Sequence, residues 1–250
     1  MYIRRILIAA IIAISMVSSS AYAEWHFGIG TGPSILKIDG DIGFHTNIAG
    51  PVKMNVDADP DDIMDVMDSA LGLSGYASNG KWTFKAAYAN LVLEGSGGNR
   101  AAHLDIEADL TGAEFAVGYA LYEKPYLNLN LIGGIRYTEH EISVDFSTER
   151  SQLNRTIDND WTDAVIGLSA NVPLTHTLTW NTQMDFGFGG SEGTYTANTG
   201  LTWQFYKGWS GTLFCKYAAV DFENAARGSQ DWYLYDMNEQ SLGLAIFYNW

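Results

Sequence analysis

Alternation is most regular in the last segment of the chain, where Leu242, Leu244, Ile246, Tyr248 and Trp250 hold every second position and Gly243, Ala245 and Asn249 lie between them. Successive side chains of a strand point to opposite faces, so this period of two predicts a strand with one apolar face. The pattern recurs in Trp209, Leu213, Cys215 and Tyr217, in Tyr195, Ala197, Leu201, Trp203 and Phe205, and in Trp180, Met184, Phe186 and Phe188. It continues in Ala164, Ile166, Leu168 and Val172, in Leu127, Leu129, Leu131, Ile135 and Tyr137, in Phe115, Val117, Tyr119 and Leu121, and in Trp82, Phe84 and Tyr88. Trp25, Phe27 and Ile29, with a shorter strand after Gly72, bring the expectation to about ten strands.

The connections alternate in length. Short ones are expected at Asn79-Gly80, Glu123-Lys124-Pro125, Pro173 to Thr177 and Lys207-Gly208, and longer ones at Asp39 to Leu71, Gly95 to Ala102, Ser147 to Asp160, Gly189 to Gly193 and Glu223 to Asn238. This is the signature of a closed antiparallel transmembrane β-barrel of about ten strands, within a range of roughly eight to twelve, with its short turns and both termini in the periplasm. Trp82, Tyr122, Tyr126, Trp203, Tyr206, Trp209 and Trp250 cluster near strand ends and would form the periplasmic aromatic girdle.

The N-terminus supports export. Arg4 and Arg5 precede the apolar run Ile6 to Val17, and Ala21-Tyr22-Ala23 before Glu24 reads as a cleavage site, so residues 1–23 are expected to be a signal peptide and 24–250 an outer-membrane barrel domain. No later stretch reaches the roughly 18 apolar residues a membrane helix needs, so crossing a bilayer requires a barrel. The single cysteine, Cys215, excludes an intramolecular disulfide.

One segment reads as helical. Asp59 can cap, Pro60 suits the first turn, Asp61 and Asp62 favour the positive end of the dipole, and Gly72 ends it. Ile63, Val66, Met67, Ala70 and Leu71 form an apolar stripe, which predicts a short amphipathic helix over 59–71, docked on the barrel wall or mouth as a lid or as packing.

The positions between the apolar ones describe the lumen. They carry Lys85, Glu114, Arg136, Asp163, Asp185 and Lys216, with Asn181, Gln183, Asn198 and Gln204, and pairs such as Lys85 with Glu114 and Glu114 with Arg136 are expected. Buried charges persist only when partnered, and a barrel this narrow is filled by its own side chains, so the lumen is read as plugged. The function expected is structural or surface interaction without catalysis or cofactor. Two alternatives are a small-solute pore gated by the helix and a rim hydrolase built from His103, Asp105 and Glu107 facing Glu139, His140 and Glu141.

Charge decides among partners. The formal net charge is −15, and removal of Arg4 and Arg5 makes it about two units more negative, which excludes nucleic acid. Acids gather in the expected outer segments (Asp39, Asp41, Asp57, Asp59, Asp61, Asp62, Glu149, Asp158, Asp160, Glu223, Asp231, Asp236), where divalent cations bridging lipopolysaccharide phosphates could meet them. Outer-membrane lipid and lipopolysaccharide are the expected surroundings. The alternate apolar residues Leu242 to Tyr248 ending on Trp250 resemble the signal read by the barrel-assembly machinery.

Asp59-Pro60-Asp61-Asp62-Ile63-Met64-Asp65, then Ala70-Leu71-Gly72-Leu73-Ser74-Gly75-Tyr76, then Asn79-Gly80-Lys81-Trp82 resemble a large family of bacterial outer-membrane β-barrel proteins in which an acidic helix precedes a short strand and a turn ending in Trp. The similarity extends to Gly133-Gly134-Ile135-Arg136-Tyr137 and to Trp161-Thr162-Asp163 with Val165 and Gly167. It implies the barrel fold and no catalytic residues.

Overall fold

The computed structural model describes residues 24–46, 50–99, 102–148 and 151–250. The expected signal peptide, with Ala21 and Ala23 of its cleavage site, lies outside them; Glu24 is exposed. The elements in chain order are β1 (His26–Thr31), β2 (Ser34–Thr46), β3 (Gly50–Ala58), the helix α1 (Pro60–Val66), β4 (Met67–Ser78), β5 (Trp82–Asn99) and β6 (Ala102–Lys124), then β7 (Leu127–Thr148), β8 (Ser151–Pro173), β9 (Leu178–Phe188), β10 (Gly193–Tyr206), β11 (Trp209–Glu223) and β12 (Tyr233–Asn249).

Ten strands, β1 and β4 to β12, pair antiparallel in succession and close on themselves, because β1 bonds β4 on one side and β12 on the other. The turns at Asn79-Gly80, Pro173 to Thr177 and Lys207-Gly208 fall where they were expected, and the one expected at Glu123-Lys124-Pro125 is Pro125-Tyr126, because β6 runs to Lys124. Gly80 (φ +85°) and Gly208 (φ +75°) adopt left-handed backbone that other residues rarely take. Beyond the seal between β1 and β12 the sheet gains a hairpin: β2 continues the ladder along β12 from Gly243↔Ser34 to Tyr233↔Phe44, and β3 pairs with β2.

The expected outward faces are outward. Leu244 is 59 % exposed and Trp250 59 %, and Ile135, Ile166, Leu168, Met184, Phe186, Leu201, Leu213, Leu242, Ile246 and Tyr248 are exposed with them. A belt this continuous and apolar is a surface made for lipid, not water. None of the described helices is long and apolar enough to cross a membrane, so any crossing is by strands.

Two expectations are corrected. The helix over 59–71 ends at Val66, and Met67 to Leu71 begin β4, paired from Met67↔Leu93 to Leu71↔Asn90. Helix nucleation succeeds where Pro60 and the Asp62 carboxylate, accepting the Asp59 N–H at 3.0 Å, start it. It stops where β5 offers backbone partners and lipid offers a place for Leu71 and Leu73. Most of the long outer loops are also strand: Asp39 to Leu71 holds β2, β3 and α1, and β6, β7 and β8 run 23, 22 and 23 residues. A tilted strand needs about ten residues to cross a bilayer, so roughly half of each stands beyond the belt.

Candidate functional site

Two stacked layers of different chemistry face the lumen. In the inner layer the β6–β7 register sets Arg136 opposite Glu114. Arg136 Nε and Nη2 donate to Glu114 Oε2 at 2.9 and 2.7 Å, and Nη2 also donates to Asp185 Oδ1 at 2.8 Å. The Asp185 side chain has no solvent exposure. Gln183 Nε2 donates to Asp185 Oδ2 at 3.1 Å, and Lys85 Nζ donates to Gln183 Oε1 at 3.0 Å, tying β5 to β9 across the barrel. Lys85 thus reaches an amide rather than Glu114. Glycine makes room for this: a Cβ at Gly167, opposite Asp185, would lie 2.3 Å from the Met184 carbonyl oxygen.

Asp163 and Lys216 stand apart from that network. Asp163 faces Arg136 in register, yet its carboxylate turns to the β9–β10 loop. It accepts from Gly190 N at 3.0 Å, Ser191 N at 2.8 Å, Ser191 Oγ at 2.7 Å and Thr194 Oγ1 at 2.8 Å, so its work is to anchor that loop. Lys216 is on the lumen side of β11 by alternation, exposed, and forms no ion pair among the described residues.

The outer layer is apolar and aromatic. Trp161 stacks on Phe222 with centroids 4.1 Å apart, and His140 meets Trp161 and Tyr235 edge-on at 5.0 and 4.5 Å. Ile38, Ile157, Tyr233, Met237 and Ile63, the buried residue of α1, complete the cluster. His140 is 4 % exposed, its Nδ1 is 3.0 Å from Tyr233 Oη, and Tyr235 Oη donates to Glu239 Oε1 at 2.9 Å. Burial pushes the His140 pKa down to about 4 and raises those of Tyr233 and Tyr235, so all three are neutral at neutral pH.

This layer was not anticipated, although its signal is in the sequence: the alternation changes phase partway up each long strand. On β12 the apolar residues are outward at Leu242 to Tyr248 but inward at Tyr233, Tyr235 and Met237, with Asp236 outward. On β8, Ile166 and Leu168 face out while Trp161 and Ile157 face in.

The outer wall collects carboxylates instead. Asp109, Glu141 and Asp158 sit in register across β6, β7 and β8, and Asp221, Asp236 and Asp41 across β11, β12 and β2. Burial, then the carboxylates of Asp236 and Glu223, raise the Asp221 pKa, whereas Lys53 and Asn55 lower that of Asp41. Among the described residues no three His, Cys, Asp or Glu side chains converge to hold a metal ion.

The proposed rim pair does not assemble. His103 bonds Asp105 at 3.1 Å on an open surface, Glu107 lies opposite Ser143, and Glu141 lies opposite Asp109. His140 points inward into the aromatic layer, away from the outward Glu139 and Glu141, because a strand sends neighbours to opposite faces.

No family model matches the chain, and no curated protein matches it. Solved structures do. The chain is similar to the outer-membrane protease OmpT of Escherichia coli, with 8 % identity over 93 % of this chain and 100 % of that one and a TM-score of 0.57. Weaker matches are the translocator domain of the autotransporter NalP of Neisseria meningitidis (11 % identity, 98 % and 95 % covered, TM-score 0.48) and the Ail protein of Yersinia pestis (10 %, 91 % and 99 %, 0.38). The likeness to OmpT, with the closed ring of ten strands, shows the fold of a bacterial outer-membrane β-barrel.

Proposed function

We propose that the chain is an integral protein of a bacterial outer membrane, acting as a structural or surface-interaction component without catalysis, its lumen closed by its own side chains. The observation that carries this reading is the pair of layers across the lumen, one joined by Arg136 to Glu114 and Asp185 and one packed around Trp161 and Phe222. The outward apolar belt fits lipid, and the acidic strands above it would meet lipopolysaccharide through divalent cations that screen the rows rather than occupy a fixed site. The terminal strand Leu242, Leu244, Ile246, Tyr248 and Trp250 is the segment offered to the assembly machinery.

The test is single-channel recording of the folded barrel in a planar bilayer at neutral pH, beside a variant in which 60–66 is replaced by a Gly-Ser linker. Silence in the intact protein is expected. Steady unitary conductance would make it a small-solute pore instead.

A further inference from the structure

His140 is a base held in an apolar cage, with Trp161 and Tyr235 against its ring and Tyr233 on Nδ1, and no carboxylate pairs with it among the described residues. The same cluster holds Ile63, by which α1 is seated, and Ile38 of the β2–β3 hairpin. We propose that His140 is an acid-sensitive catch on the outer layer: protonation puts a cation inside the cage, the layer loosens, and α1 swings away to open the lumen outward.

The groups around it bear this out one strand at a time. On β12, Tyr233 and Tyr235 face the ring, and Glu239 reaches it only through the Tyr235 hydroxyl. On β8, Trp161 is the neighbour, Asn159 the register partner, and Asp163 is occupied by the β9–β10 loop. On β6 the register partner is Leu110, and Glu114, lower on the lumen face, is bound to Arg136 of β7. On β11, Phe222 backs Trp161. An imidazolium formed here gains no anionic partner, and a buried cation without one is strongly disfavoured. The depressed pKa of His140 has the same origin in burial.

The inference rests on the closed-lumen reading, and neutral-pH conductance tests that reading separately. For the catch itself, spin labels are placed on Met64→Cys of α1 and Asp158→Cys of β8, both exposed, in a Cys215→Ser background, and the interlabel distance is measured at pH 7.5 and below pH 4. Carboxylates also titrate in that range, so the decisive comparison is His140→Gln, with His140→Phe as the cage-filling alternative if the first does not reach the heat-modifiable folded form. The expected result is a distance that lengthens by several ångströms on acidification with His140 and returns at neutral pH, but stays fixed in the substituted chain. No change with His140, or an equal change without it, overturns the catch. So does an imidazole titration of the unsubstituted chain that places His140 at or above its ordinary value of about 6.5.

Discussion

One guanidinium joins three strands, since Arg136 of β7 holds Glu114 of β6 and Asp185 of β9. Replacing Arg136 by Met leaves the buried Asp185 carboxylate without its ion-pair partner, and breaking a buried pair this way costs about 3–5 kcal/mol. A drop of that size is expected in urea unfolding followed by the folded and unfolded gel bands. On the outer wall the sign reverses: Asp236 faces Asp221 and Asp41 directly, and like charges opposite each other destabilise a sheet, so Asp236→Asn should raise stability by roughly 0.2–1 kcal/mol at low salt and less at high salt. His140 supplies the pH dependence. Its folded pKa of about 4 lies below the unfolded value of about 6.5, so between them the unfolded chain binds the proton more readily. Its contribution is complete above about pH 6.5 and is lost as pH falls towards 4. The difference in unfolding midpoint between the unsubstituted chain and His140→Gln should follow that window, and a flat difference would refute it.

Among the elements, α1 shows how far sequence reaches. Its start was legible because Asp59, Pro60 and Asp62 act locally, whereas its end was not: Ile63, Val66, Met67, Ala70 and Leu71 fit a helical stripe, and only pairing with β5 turns the last three into strand. The four short turns were legible for the same local reason. The first part of β8, Ser151 to Asp160, reads as a loop because its polar residues match exposed coil, and only pairing with β7 makes it strand. Alternation assigns a residue its face but not its partner, which depends on which strands meet across the barrel, so the Lys85 to Gln183 bond had no local signal. Since α1 buries Ile63 and exposes Met64, Ile63→Ala should cost about 2–5 kcal/mol, while Met64→Ala should leave the unfolding midpoint almost unchanged.

Taken whole, the molecule is two barrels continuous through their strands and opposite in polarity. The inner one wears its apolar residues outside and its charges within; the outer one has a conventional apolar core under an acidic skin. The crossover height should coincide with the lipid boundary. An arginine at Leu244, outward and low on β12, is therefore expected to cost about 2–4 kcal/mol of folding in lipid, and the same residue at Asp236 little or nothing.

The way β12 closes the ring has a consequence for assembly. Its join to β1 is short, from Gly28↔Asn249 to Thr31↔Ile246, while its join to β2 runs from Gly243↔Ser34 to Tyr233↔Phe44. Both link the two ends of the chain, the slowest kind of contact to form. A curled, unsealed sheet is thus caught first by the longer arm, which sets the register like the upper teeth of a zip before the few rungs below are drawn shut.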